Sequence, residues 1–535
     1  TQVVTSGNPE DVDFASHIPI ESSVTVFGEV KKRDEETVNP KLKTGLVEIR
    51  IEEIEVLGKR TKMLPFEINT DQDIREDLRL QYRFLDLRNN KLKNNIILRA
   101  KVLQFLRNQM IEQGFLEVQT PILTSSSPEG ARDYLVPSRL HAGKFYALPQ
   151  APQQFKQLLM VSGIDKYFQI APCFRDEDAR ADRAPGEFYQ LDMEMSYATQ
   201  EDVFNVIEPV IYNTFKEFSD KAISNTPFTR IAYKEAMVKY GTDKPDLRNP
   251  LYIIDLSDFF NKCTFKPFIN RTVRAIKVKG HMSKGFHEKM LKYATSIGMG
   301  GLGYLEVQED LSYKGPIDKF IPDDLKKELL DLAGLEKEDT IFFIADNEKR
   351  ATELAGQIRT ELGKRLDLIK KDVFEFCWIV DFPMFELDEH DKLQFSHNPF
   401  SMPQGGLDAL TNEKPLDILA YQYDLVCNGV ELSSGAVRNH DINIMIKAFE
   451  MAGYTEEEVK SKFGALYTAF QFGAPPHAGI APGFDRMLML LTDSDTIRDV
   501  IAFPLNSKAQ DLMMGAPGEV KYDQLKDIHI KVDIK

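Results

Sequence analysis

Residues 167–197 carry the clearest pattern of polar and apolar positions in the chain, with two patterned runs on either side of a charged loop. In the second run, Gln190, Asp192 and Glu194 alternate with apolar residues. Successive side chains of a β-strand point to opposite faces of the sheet, so these three polar residues share one face. The pattern therefore predicts a β-hairpin with one polar face.

The first run of this hairpin ends at Arg175, which shares a face with two small residues, Ala171 and Cys173. Small neighbours beside an arginine leave room for a flat ligand on the sheet. A charged hairpin that stands alone is more often a solvated surface feature, and that alternative stays open here. We favour the ligand-binding interpretation because the rest of the chain supplies matching parts.

Residues 1–66 show short strand patterns, the clearest of them over residues 46–54. Small barrels of such strands often bind oligonucleotides, although a purely structural β module fits the pattern equally well. Residues 67–95 are rich in charge and are interpreted as a linker.

Apolar residues at helical spacing over residues 98–110 predict a helix that ends at Gly114. A short strand follows and stops before Pro121, which has no N–H to donate to a sheet and so marks an edge or an interface. Residues 149–160 form a turn into a second helix, where Lys156 stands among apolar side chains. A lysine in that setting usually extends to solvent.

Residues 242–370 have a mixed α and β texture and are interpreted as an inserted domain. The spacing Gly298-x-Gly300-x-x-Gly303 imitates a dinucleotide-binding loop, which requires a strand before it and a helix after it. Here a helical pattern precedes the glycines and a strand pattern follows them, so we do not predict a dinucleotide site.

The C-terminal part of the chain resumes strand patterns, with His397 near a strand end. Asp424 lies in a segment that is either helical or extended. Glu431 and Arg438 flank a predicted turn over residues 433–435. The stretch GIAPGFDR then leads into an apolar helix, whose free N–H groups can bind a phosphate; a buried loop is the alternative.

Composition narrows the possible classes of function. The 535 residues are enough for two to four domains, and the formal charge is −16, with 67 basic and 83 acidic residues. This charge excludes a general nucleic-acid coat or a membrane-surface protein, but not a specific RNA partner. The four cysteines are far apart in the sequence, so neither a zinc site nor a disulfide framework is expected. His281 and His287 have no partner at metal-ligand spacing, and both are interpreted as surface residues.

No apolar run approaches the ~20 residues of a membrane span, and there is no signal peptide. The expected location is the cytoplasm. The chain begins within a strand pattern and without methionine, so the true N-terminus is expected to be missing.

Three motifs in order identify a family. FRDED with its following strand resembles motif 2 of class II aminoacyl-tRNA synthetases, GIAPGFDR resembles motif 3, and the strand that ends at Pro121 resembles motif 1. The stretches PEGARDYLVPSR, LPQAPQQFKQLL, CFRDEDARADR and IRDVIAFP are similar to the bacterial-type aspartyl-tRNA synthetase family. The resemblance covers nearly the whole chain.

The resemblance implies a multidomain α+β fold built on an antiparallel catalytic sheet. Residues 1–66 would be an anticodon-binding OB-fold barrel whose first strands are missing, and residues 67–95 a linker. The catalytic domain would occupy residues 96–241 and, with a C-terminal extension, 371–535. Residues 242–370 would be the GAD-type insertion domain.

The implied reaction joins L-aspartate to tRNA(Asp) through aspartyl-adenylate, with ATP as substrate and Mg²⁺ as cofactor. Charging of tRNA(Asn) is left open, and a homodimer through motif 1 is implied. A ligase for asparagine or lysine is disfavoured because Arg438 and Lys156 suit an anionic side chain. A non-catalytic RNA-binding relative would lack Arg175, Glu431 or Arg486, and all three are present.

The resemblance also assigns site residues. The predicted aspartate-binding residues are Glu129, Gln153, Lys156, Arg175, Asp192, His397 and Arg438. The predicted ATP-binding residues are Arg175, Asp176, Glu177, Glu431, Gly483, Phe484, Asp485 and Arg486. Arg175, Arg486 and Glu431 are the predicted catalytic residues, and Asp424 and Glu431 the predicted Mg²⁺ ligands. Ala151 and Ala184 depart from the family, which often has serine and glutamine there.

Overall fold

The computed structural model describes residues 1–5, 9–70, 72–126, 131–181, 183 and 185–533. The chain divides into two compact units, Thr1–Arg88 and Asn89–Lys535. The division lies inside the stretch 67–95 that the sequence indicates as a linker.

The N-terminal unit contains a three-stranded sheet. Its middle strand, Val47–Gly58, is antiparallel to Ser23–Lys32 and parallel to Gln2–Val4. The alternation over residues 46–54 therefore marks a real strand. The helices of this unit are Pro9–Ser16, Glu76–Gln81 and Arg83–Asp86. The last two lie within the predicted linker, and the OB-fold assignment stays a prediction.

An eight-stranded sheet forms the frame of the second unit. Its six central strands are antiparallel, and a parallel strand is added at each edge. In spatial order the strands are Thr229–Ala232, Phe376–Pro383, Leu419–Cys427, Val430–Val437, His477–Pro482, Gly186–Ser196, Lys166–Arg175 and Leu116–Glu117. Smaller two-stranded pairs are Leu135–Pro137 with Phe145–Ala147, Ala222–Ile223 with Val373–Phe374, and Phe385–Leu387 with Leu393–Phe395.

The predicted hairpin is confirmed as the pair Lys166–Arg175 and Gly186–Ser196. Leu191 and Met193 of the second strand are buried in the main apolar core, together with residues of the helices Asn90–Glu112 and Gln200–Phe218. Because strand side chains alternate, Gln190, Asp192 and Glu194 point to the opposite face. The core thus occupies one face of the sheet and leaves a polar face on the other.

The remaining helices of this part include Phe484–Leu491, which packs into the same apolar core. They are Gln153–Val161, Tyr233–Tyr240, Gly406–Asn412, Ile442–Met451, Glu456–Phe470, Phe484–Leu491 and Tyr522–Asp527. The predicted helices over residues 98–110 and 149–160 are confirmed, and Gly114 has a positive φ of 82° just beyond the first of them. Among the described residues, no helix has the length and apolarity required to cross a bilayer.

Residues 253–346 contain a separate five-stranded sheet with its own apolar clusters. Its strands, in spatial order, are Ile253–Asp255, Thr272–Lys279, Asp339–Asp346, Gly303–Val307 and Tyr313–Lys314. Its helices are Ser257–Phe260, Lys284–Ser296, Lys326–Ala333 and Glu348–Arg365. A helix precedes the three glycines and a strand follows them, which confirms that they do not form a dinucleotide-binding loop.

Two local predictions are wrong. Residues 433–435 do not form a turn, because they lie inside the central strand Val430–Val437. His287 is not a surface residue: its ring stacks on Tyr304 at 3.6 Å between centroids, and its Nε2 lies 3.1 Å from Glu306 Oε1. A histidine packed on an aromatic ring and paired with a carboxylate is part of the insertion's structure rather than a solvated side chain.

Candidate active site

A cavity of about 540 Å³ lies over the polar face of the main sheet. Most of the predicted aspartate- and ATP-binding residues line it, although they come from distant parts of the chain. Those that line the cavity are Gln153, Lys156, Arg175, Glu177, Asp192, His397, Glu431, Arg438, Gly483, Asp485 and Arg486. The polar faces of the hairpin and of the neighbouring strands therefore converge on one space.

Three other predicted residues, all within the described part of the chain, do not line this cavity. Phe484 is buried in the apolar core, and Asp424 is buried in the strand Leu419–Cys427. The N–H of Asp176 donates to Arg132 O at 3.0 Å. Glu129 lies outside the described residues, as does the departure Ala184.

A buried ionic network forms the floor of the cavity. Arg438 donates from Nε and Nη2 to the two oxygens of Glu194, at 2.9 and 3.3 Å. Lys156 Nζ lies 2.7 Å from Asp192 Oδ1 and 3.2 Å from Glu194 Oε2. No side chain of this network is more than 2% exposed. Two cations and two carboxylates without solvent are stable only as a set, because removal of one leaves a buried charge unpaired.

The protonation of this network follows from burial and charge. Burial raises the pKa of Glu194, but the charges of Arg438 and Lys156 outweigh it, so the pKa of Glu194 is lowered. Burial raises the pKa of Asp192, and Lys156 offsets this only in part. Asp192 Oδ2 is buried and has no hydrogen-bond partner within the described part of the chain. It is thus an available acceptor for a cationic group in the cavity.

Glu194 fits only because its neighbour on the next strand is glycine. Gly479 is paired with Glu194 in the sheet, and a Cβ at Gly479 would overlap Glu194 Oε2. Gly479, the first residue of the GIAPGFDR stretch, therefore makes room for the carboxylate that holds Arg438.

A second layer of hydrogen bonds fixes the network from behind. Gln153 Nε2 donates to Gln157 Oε1 at 3.0 Å, and Gln157 Nε2 lies 3.1 Å from His477 Nε2. His477 Nδ1 lies 2.8 Å from Pro475 O. In the tautomer consistent with both contacts, Nδ1–H donates to the carbonyl and Nε2 accepts from the glutamine. The N–H of Arg438 donates to His477 O at 2.8 Å.

Two further arginines, Arg175 and Arg486, also line the cavity. The Arg175 guanidinium lies 5.0 Å from the centroid of the Phe188 ring, and its Nε donates to Gln150 O at 3.4 Å. Arg486 Nη1 donates to Glu431 O at 2.7 Å. Both face the same space, so two delocalised cations are positioned for an anion such as a phosphate.

The start of the helix Phe484–Leu491 is anchored to the hairpin. Asp485 is ion-paired with Arg99 and accepts from the N–H of Tyr189 at 3.0 Å. The Asp485 carboxylate therefore holds this helix start in place rather than offering a free ligand. Glu177, at the far end of the hairpin, is ion-paired with Arg183.

Asp424 and Glu431 fit a hard cation such as Mg²⁺. Asp424 Oδ1 is buried without a hydrogen-bond partner in the described residues. Burial and the nearby charge of Glu431 raise the pKa of Asp424 well above its usual range. No group of three metal-ligating side chains occurs among the described residues. Two carboxylates nevertheless suit Mg²⁺, which commonly takes its other ligands from phosphates and water.

Known proteins resemble this chain over most or all of its length. A family model described as tRNA synthetases class II (D, K and N) matches residues 75–507. The aspartate–tRNA(Asp/Asn) ligase of Ehrlichia chaffeensis (strain ATCC CRL-10679 / Arkansas) is 54% identical over 544 residues, which cover 100% of this chain and 92% of that protein. The chain belongs to the aspartate–tRNA ligase family. The ligase of the same description from Rickettsia canadensis (strain McKiel) is 55% identical over 544 residues. The match covers 99% of this chain and 90% of that protein.

The fold of this aspartate–tRNA ligase family member is the class II synthetase fold. A crystal structure of asparaginyl-tRNA synthetase from Pyrococcus horikoshii, complexed with asparaginyl-adenylate, aligns with a TM-score of 0.56 at 17% identity. The alignment covers 94% of this chain and 87% of that one. At this identity the likeness concerns the fold alone.

Several residues of this ligase's site were not predicted. The sequence could have predicted Glu194, because the same strand alternation that points to Asp192 places Glu194 on the same face of the sheet. Gln157 had a weaker signal, since it lies one helical turn after Gln153. His477 and Lys244 had no sequence signal, because only the folded chain brings them next to Gln157 and Glu431. Ala151 also lines the cavity.

Acidification is expected to weaken the fold of this ligase through His477. Burial lowers the pKa of His477 from 6.5 and outweighs the attraction of Glu194. The unfolded chain therefore binds the proton first, so this contribution is present above pH 6.5 and is lost as pH falls below it, at up to ~1.4 kcal/mol per pH unit. Urea unfolding of wild type and His477→Asn at pH 7.5, 6.5 and 5.5 tests this. The difference between the two proteins should shrink as the pH falls; a difference constant with pH would contradict it.

Proposed function

We propose that this enzyme activates L-aspartate with ATP and transfers the aspartyl group to tRNA(Asp) and tRNA(Asn). The observation that carries the amino-acid choice is the buried pair Arg438 and Lys156 in the floor of the cavity. The relatives named above, described as aspartate–tRNA(Asp/Asn) ligases, favour the second tRNA.

Activation requires position and charge rather than a side-chain nucleophile. The α-carboxylate of aspartate attacks the α-phosphorus of ATP, the bond to the bridging oxygen breaks, and pyrophosphate leaves. Arg175 and Arg486 neutralise the negative charge that spreads over the phosphates. Asp424 and Glu431 would hold Mg²⁺, which supplies further neutralisation of phosphate charge when bound. A terminal ribose hydroxyl of tRNA then attacks the acyl carbon and AMP leaves.

Amino-acid selection rests on complementary charge. Arg438 uses Nε and Nη2 for Glu194, and its remaining N–H groups with those of Lys156 bind the side-chain carboxylate of aspartate. Asp192 Oδ2 and Gln153 accept from the substrate ammonium. Asparagine brings no charge, so the N–H groups of Arg438 and Lys156 that are not used by Glu194 and Asp192 lose their anionic acceptor, at a cost of ~3–5 kcal/mol. Lysine would bring a cation beside two others.

The resemblance also supports domain roles. Residues 1–66 act as the anticodon-binding domain and residues 242–370 as the GAD-type insertion. The loop that follows Arg175 and includes Arg183 meets the acceptor end of the tRNA. His397, whose ring packs at 4.8 Å between centroids against Phe382, closes over the amino acid.

We expect a homodimer through the edge of the main sheet. Leu116–Glu117 is the outermost strand there, and apolar residues around it, among them Ile122 and Leu123, are about half exposed. An open edge beside apolar side chains is a template for pairing with another chain. Sedimentation velocity at micromolar concentration should give a dimer, which Leu123→Asp should weaken. A wild-type monomer would refute this.

Aminoacylation of purified tRNA(Asp), tRNA(Asn) and tRNA(Lys) with radiolabelled aspartate tests the whole proposal. We expect aspartate on the first two and not on the third. Failure to charge tRNA(Asn) would remove the dual specificity, and failure to charge tRNA(Asp) would overturn the proposed function.

A further inference from the structure

Lys244 reaches the proposed metal carboxylates from the start of the insertion. It follows the helix Tyr233–Tyr240, and its N–H donates to Thr242 Oγ1 at 3.1 Å. Its Nζ lies 3.3 Å from Glu431 Oε2 and 2.8 Å from Asp243 Oδ2. The proposed mechanism gives this lysine no task, although it is the cation nearest to that oxygen of Glu431.

Glu431 has a different cation beside each of its oxygens. Arg486 Nη1 lies 3.8 Å from Oε1, and Lys244 Nζ lies beside Oε2. Asp424 adds a second carboxylate, which is buried and has an oxygen without a hydrogen-bond partner in the described residues. Two close carboxylates repel each other unless a cation compensates them. Lys244 supplies such a charge from the protein itself.

Two acidic neighbours surround the Lys244 ammonium. Its Nζ lies within 3.3 Å of a carboxylate oxygen of Glu431 and of Asp243, and a lysine side chain carries a positive charge at neutral pH. A lysine ammonium and a divalent cation repel each other at this distance, so both cannot share Glu431 Oε2.

We propose that Lys244 is a resident counter-cation of the carboxylate pair Asp424 and Glu431. It neutralises the pair while the site holds no nucleotide, and it leaves Glu431 when a divalent cation enters with ATP. This inference rests on the proposed assignment of the two carboxylates to Mg²⁺.

The arrangement has a consequence for metal binding without nucleotide. A free divalent cation must displace Lys244 and gains only two carboxylates. A cation that arrives with ATP brings phosphate oxygens as further ligands, and those phosphates also attract the displaced ammonium. Lys244 thus makes the site select the metal–nucleotide complex over the free metal.

Mn²⁺ binding to the full chain, measured by electron paramagnetic resonance without ATP, tests the proposal. K244Q should bind Mn²⁺ about threefold to tenfold more tightly than wild type, because the competing charge is gone. K244R, which keeps the charge, should stay near wild type. The matched control is K239Q, which removes a lysine ion-paired with Glu235 at 3.0 Å on the preceding helix. Mn²⁺ affinity of K244Q that is unchanged or weaker would overturn the proposal.

Two further measurements separate this inference from the proposed function. E431Q should lose the tighter Mn²⁺ binding in the K244Q background; if it does not, the metal binds elsewhere and the inference is wrong. Aspartate-dependent pyrophosphate exchange by wild type tests the proposed function alone. Thermal unfolding checks each variant, and K244A replaces K244Q if the latter fails to fold.

Discussion

Replacing Arg438 by alanine should lower kcat/KM for aspartate in pyrophosphate exchange by about a thousandfold, while ATP still binds. The substrate carboxylate loses its planar fork, and Glu194 loses the partner that compensates its buried charge. Breaking one partner of a buried ion pair costs ~3–5 kcal/mol, which corresponds to a factor of ~10² to 10⁴. Exchange kinetics over a range of aspartate concentrations, with ATP binding measured by calorimetry, give the result.

The same charge also stabilises the fold, so the variant requires controls. Arg438→Lys keeps the charge without the fork and should lose about a hundredfold with little change in Tm. Arg230→Ala removes an exposed arginine that is ion-paired with Glu201 and should leave exchange unchanged. A folded Arg438→Ala protein with near wild-type exchange would refute the role of Arg438.

Replacing Arg175 by alanine should lower the rate of adenylate formation by ~10² to 10³ at saturating substrates. Arg175 ends a strand, packs on the Phe188 ring and lines the cavity. Its charge is needed most when the α-phosphate becomes crowded with negative charge, and loss of one such donor typically costs ~10² to 10³ in kcat. Single-turnover formation of adenylate, followed by quenched flow, measures this step directly.

A matched substitution far from the cavity is available for Arg175. Arg350 lies in the insertion, half exposed and 3.1 Å from Asp346, and Arg350→Ala should leave adenylate formation unchanged. A fall in aspartate affinity with an unchanged rate constant at saturation would contradict a role for Arg175 in the transition state.

Local periodicity predicted the elements whose two faces differ. The hairpin that ends in Ser196 alternates because one face meets the core and the other the cavity. The helix Asn90–Glu112 shows an apolar stripe because one of its faces packs into the same core. The turn predicted over residues 433–435 was wrong because small residues, although typical of turns, here lie inside a strand. In the folded chain Gly435 is small for another reason: a Cβ there would lie 2.5 Å from Gly479 O on the next strand.

The candidate site was predicted mainly from the family resemblance rather than from spacing. No sequence pattern joins Lys156, Asp192 and Arg438, which approach one another only when the helix and the strands assemble over the sheet. Glu194 was visible as a polar position, but its burial depends on Gly479 of a distant strand. Lys244 was not predicted, because the sequence around it gives no sign that the folded chain places it beside Glu431.

The central claim is that Arg438 and Lys156, in the buried ionic floor of the cavity, select an anionic amino acid in the same cavity that holds two phosphate-binding arginines. Pyrophosphate exchange by the wild-type protein with aspartate, asparagine or lysine as the only amino acid tests it most directly. The account predicts rapid exchange with aspartate and a kcat/KM at least ~10²-fold lower with asparagine or lysine. Exchange with asparagine or lysine as efficient as with aspartate would contradict it.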